Sequence, residues 1–129
     1  MKKFNLLVLA ILTIASLAVS ACDKGAKSKA VIPVASAGSV TIISPKNGDV
    51  LNHGADNKLT YNVHLGPNGN HLHIYVDGNP PIIDRDVSDC PCKITLPMLS
   101  AGSHTVALKV ATAGHVLTGV QGTVKFTVK

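Results

Sequence analysis

Apolar and polar residues alternate with a period of two through most of the chain after residue 39. Leu59, Tyr61, Val63 and Leu65 fall on one side, with Thr60, Asn62 and His64 on the other. Leu72, Ile74 and Val76 oppose His71, His73 and Tyr75. The stretch from Thr105 to Ala111 turns Val106, Leu108 and Val110 inward, and Thr123 to Val128 does the same with Val124, Phe126 and Val128. Val40 to Ile43 is β-branched at most positions, and Lys93 to Leu96 reads as a short strand. Between these lie Ser44-Pro45-Lys46-Asn47-Gly48-Asp49, Gly66-Pro67-Asn68-Gly69 and Asp77-Gly78-Asn79-Pro80-Pro81, each rich in turn residues. Period two with one apolar face belongs to antiparallel sheet that packs on one side and meets water on the other. An apolar sheet face must be covered by another layer. The pattern predicts an all-β domain at 39–129, a single β-sandwich of about seven antiparallel strands.

The start of the chain has a different pattern. Lys2 and Lys3 precede an almost wholly apolar run from Leu6 to Ala21, which closes on Val19-Ser20-Ala21-Cys22. A basic start, an apolar stretch and small residues before the break make a secretory signal. The run is short for a membrane-spanning helix. Its last four residues resemble the lipobox of bacterial lipoproteins. That resemblance implies a lipoprotein signal peptide at 1–21 and lipidation of Cys22, which becomes the first residue of the mature chain. Several acyl chains on one cysteine anchor a protein to a bilayer stably. Residues 22–38 are small, polar or basic and read as the lipidated cysteine and a flexible tether. The expected location is the bacterial cell envelope outside the cytoplasm. The lipid bilayer is the expected first partner, and an envelope protein a second.

Charge changes the picture little. Losing Lys2 and Lys3 lowers the basic residues from 12 to 10 against 7 acidic ones, and the net charge from +5 to +3. Lys24, Lys27 and Lys29 lie in the tether, so the domain is nearly neutral. Nucleic acid is not an expected partner, because a clustered basic face and stacking aromatics are missing from the sequence.

Leu96 to Val106 resembles the E–F corner of bacterial immunoglobulin-like and fibronectin-like modules. The resemblance implies an immunoglobulin-like sandwich, with His104 at the corner position and its ring bonded to backbone. The elements Gly-Asn-His-Leu-His-Ile-Tyr-Val-Asp-Gly, Gly-Ser-His-Thr-Val and Gly-His-Val resemble a group of bacterial surface or periplasmic immunoglobulin-like domains of largely unassigned function. There the three elements recur together, which maps here to His71, His73, Asp77, Gly78, His104 and His115.

His71 and His73 carry the candidate chemistry. Residues i and i+2 of a strand share a face. Two imidazoles on that outward face are either unrelated surface histidines or two ligands of one metal, and copper or zinc suits imidazole. A firm site requires a third ligand. His115 and His104 are the candidates, since the strand starting at His104 is the expected neighbour. His53 and His64 read as ordinary solvated histidines.

Cys90-Pro91-Cys92 admits three readings: a local disulfide favoured outside the cytoplasm, a thiolate pair for copper(I), or a redox pair. Asp84, Asp86 and Asp89 beside it read as a cation-attracting loop or a solvated one. The only carboxylate side chains are seven aspartates, and the sequence carries no nucleophile triad signature, phosphate loop or zinc-protease helix. The expectation is a non-enzymatic binding module without catalytic residues. A structural or protein-interaction module without metal is the alternative.

Overall fold

A computed structural model describes residues 37–129. The leader, Cys22 and nearly all of the 22–38 tether lie outside the described residues. Eight strands follow in order: β1 (Ser39–Ser44), β2 (Val50–Leu51), β3 (Lys58–His64), β4 (His71–Val76), β5 (Ile82–Asp84), β6 (Cys92–Thr95), β7 (Gly102–Ala111) and β8 (Leu117–Val128). They form a three-stranded sheet, β1-β3-β6, and a five-stranded sheet, β2-β8-β7-β4-β5. The inner faces supply the core. Leu59 and Tyr61 of β3 meet Leu72, Ile74 and Val76 of β4, Val106, Leu108 and Val110 of β7, and Val124, Phe126 and Val128 of β8. These are the apolar positions of the alternating pattern, buried for the reason that pattern implies.

Two details correct the sequence-based expectation. There are eight strands, and the architecture is a sandwich related to immunoglobulin-like and fibronectin-like folds rather than a closed seven-stranded immunoglobulin sandwich. In addition, β2 runs parallel to β8, pairing Val50 with Thr127 and Leu51 with Val128. β2 is two residues long. A segment that short has no period to read. The Thr127 amide donates to the Asp49 carbonyl, and the Lys129 amide to that of Leu51.

The third difference concerns β8, which starts at Leu117 rather than near Thr123. Its register with β7 runs smoothly until Lys109 pairs with Gln121, then slips so that Ala111 pairs with Leu117. The extra residues on β8 include Gly119, whose φ of 90° suits glycine. This bulge lies next to the tip of the β7–β8 hairpin. The sandwich is also joined by the buried Tyr61 of β3, whose hydroxyl donates to the Asp84 carboxylate at the end of β5. Burial, and then the bond to Asp84 and its charge, push the Tyr61 phenol above its usual range.

Candidate metal centre

β4 lies between β7 and β5, so its side chains have neighbours on both flanks. Across β7, His71 pairs with Ala111 and His73 with Lys109; across β5, His73 pairs with Ile83. The alternation is the expected one, with both histidines on the face opposite Leu72 and Ile74. The expected solvation is not. His71 is 0% exposed and His73 6%, because flanking strands hem them in and a third ring covers them.

That third ring is His115, at the tip of the β7–β8 hairpin. The Thr112 amide donates to the Val116 carbonyl at 2.8 Å, and the His115 amide to the Thr112 carbonyl at 2.9 Å. This tight turn holds His115 at φ 63°, in the left-handed region. Histidine enters that region more readily than most residues, though at a strain of about 1–2 kcal/mol. The turn swings the imidazole over the β4 face, where its centroid lies 4.6 Å from that of His71 and 5.2 Å from that of His73.

Three nitrogens converge. His71 Nε2 lies 2.9 Å from His73 Nε2 and 3.2 Å from His115 Nδ1, and His73 Nε2 lies 3.1 Å from His115 Nδ1. Among the described residues, these three form the one group of three or more metal-ligating side chains whose donor atoms gather within 4.8 Å of one another. An ion about 2.0–2.1 Å from each nitrogen would see N–metal–N angles of roughly 90–105°, suited to a tetrahedral site or one face of an octahedral one. The cluster can therefore coordinate a metal ion.

The neighbouring polar groups set which nitrogens are free. His71 Nδ1 is 3.0 Å from Asn70 Oδ1, an acceptor that favours the tautomer with its proton on Nδ1 and a lone pair on Nε2. His73 Nδ1 is 3.2 Å from the Tyr75 hydroxyl, which can accept its proton in the same way. With both protons on Nδ1, the two Nε2 atoms, 2.9 Å apart, face each other with lone pairs. A cation between them relieves the repulsion of those lone pairs. Burial lowers the His71 pKa, helped by the charges of Arg85, His115 and His73. Burial also lowers that of His73, helped by His115 and Arg85. Both rings thus favour the neutral, ligating form.

His104 stands apart from this group. Its Nδ1 lies 2.7 Å from Asp77 Oδ2 and its Nε2 2.7 Å from the Ser100 carbonyl. Both partners accept, so both ring nitrogens donate and none is left for an ion. The Asp77 bond raises the His104 pKa, the Ser100 bond adds to it, and burial opposes both. Burial pushes Asp77 up, but the bonds from His104 and the Thr105 amide, together with the His104 charge, bring it below its usual range. The ring lies 7% exposed beside Phe126, in the backbone-bonded corner role expected for it. His53 and His64 are exposed.

Cys90 and Cys92 are joined by a disulfide, which removes both thiolates from metal binding. Asp84 turns to Tyr61 and accepts from the Asp86 amide. Sequence reasoning missed Asn70 and Tyr75. Asn70 directly precedes the pair, and Tyr75 shares its parity.

No protein-family model and no curated protein matches the chain. Solved structures do resemble it. The fibronectin(III)-like modules of CbhA from Clostridium thermocellum match over 70% of this chain and 95% of theirs, with 20% identity and a TM-score of 0.55. That likeness shows a fibronectin-like fold. CopC from Methylosinus trichosporium OB3b matches over 72% of this chain and 94% of its own, with 18% identity and a TM-score of 0.44. Similarity at that level says nothing about the site.

Proposed function

We propose that this protein is a lipid-anchored, non-enzymatic metal-binding module of the bacterial envelope. His71, His73 and His115 hold the ion, and copper(II) is the preferred one. The observation that supports this is the triangle of ring nitrogens with edges of 2.9, 3.1 and 3.2 Å. Imidazole suits copper(II) and zinc, and copper(II) binds more tightly to a given nitrogen set. The leader and Cys22 support an anchor outside the cytoplasm, where Cys90 and Cys92 stay bridged.

Competition titrations of the full chain in detergent test this reading. One copper(II) per chain should bind at micromolar affinity or tighter, and zinc more weakly. Unchanged binding after both His71→Ala and His73→Ala would overturn it. A protein-interaction module without metal is the second reading. It is favoured by Ile82 and Ile83, 39% and 38% exposed on the edge strand β5. It predicts capture of an envelope protein that chelators leave untouched.

A further inference from the structure

The face that holds the three histidines also carries two cations. β5 pairs with β4 so that Ile83 faces His73 and Asp84 faces Leu72. β5 ends at Asp84 and Arg85 follows it directly, so the same register carried one residue further would set Arg85 beside His71. Asp84 points inward to Tyr61, so alternation sends Arg85 to the outer face with the histidines. Arg85 is exposed. On the opposite flank, Lys109 pairs with His73 and sets its Nζ 5.2 Å from the centroid of the Tyr75 ring. Two of the aspartates in or beside these strands are committed elsewhere: Asp84 to Tyr61 and the Asp86 amide, Asp77 to His104 and the Thr105 amide.

A divalent ion here would have three neutral ligands and two cationic neighbours. The described residues supply no anionic ligand to the group. The excess positive charge calls for an anion from solution, and the exposure of His115 leaves a way in.

Building on the metal reading, we infer that the open coordination position takes a small anion, a carboxylate or inorganic oxyanion, which displaces water and is held against Arg85. The bound metal is thus half of a recognition site, and Arg85 supplies the selectivity for negative charge.

The test is an azide titration of the copper-loaded full chain in detergent, followed by the copper–azide charge-transfer band. One azide per copper should bind. Arg85→Gln should raise its dissociation constant about 5–10-fold at low salt, and the gap should shrink as salt rises. Arg85→Lys should stay within about twofold of the wild type, as should the affinity of neutral imidazole for the Arg85→Gln protein. An unchanged spectrum with azide, or equal affinities in wild type and Arg85→Gln, would overturn the inference while leaving copper binding intact. A chain that takes up no copper would instead remove the metal reading, and this inference with it.

Discussion

His71 and His115 are 44 positions apart in the chain, and Nε2 of the first lies 3.2 Å from Nδ1 of the second. The contact exists because the β7–β8 turn sets the His115 ring over the β4 histidines. His71 is fully buried on β4 between β7 and β5, and His115 sits on an exposed turn with its backbone in the left-handed region. One ligand is fixed by the core and the other by a loop.

That division lets function be separated from stability. His115→Gly places glycine where φ is 63°. Stability should stay within about 1 kcal/mol of the wild type, because relief of strain offsets the entropy glycine adds to the unfolded chain. Copper affinity should fall about 100-fold, since two imidazoles hold an ion far more weakly than three. Thermal melts and copper titrations on the same sample check both.

The groups behind the ligands should matter next. Asn70→Ala removes the acceptor from His71 Nδ1, and Tyr75→Phe removes the oxygen beside His73 Nδ1. Each should weaken copper binding roughly 10–100-fold with one copper still bound per chain. Competition titration against a chelator of known affinity measures the loss.

His104 should act on stability and leave copper alone. Its pKa is raised in the folded state, so its bond to Asp77 stabilises fully below the unfolded value of about 6.5 and fades as pH rises through the folded one. His104→Gln should therefore lose about 1–2 kcal/mol near pH 5.5, and less as pH climbs beyond 6.5. Urea melts across that range, with a copper titration alongside, report both.

The bridge at Cys90 and Cys92 spans a sequence separation of 2. A ring that small constrains the unfolded chain little. Replacing both cysteines with serine should lower stability by about 1–2 kcal/mol and leave copper uptake unchanged. A loss of copper would mean that the bridge positions the β4 face.

Much of this was legible in the sequence, and the gaps have physical causes. Parity alone put His71 and His73 on one face, because strand geometry fixes it. Parity carries no information about what covers that face. The burial of both rings depends on a hairpin tip more than 40 residues away. His115 was legible as a candidate but not its position, which follows from the slip at Ala111 and the glycine in the bulge. His104 was offered to the metal and to the corner alike, and the acceptors on its two nitrogens favour the corner. β2 was invisible because two residues carry no period, and its pairing is with Thr127 and Val128 at the end of β8.

The most direct measurement is electron paramagnetic resonance of the copper(II)-loaded full chain, with nitrogen couplings resolved. Coupling to three imidazole nitrogens in the wild type, falling to two in His115→Gly, is the result expected from the triangle. A spectrum of loosely bound copper with no imidazole coupling, or one identical in the two proteins, would contradict it.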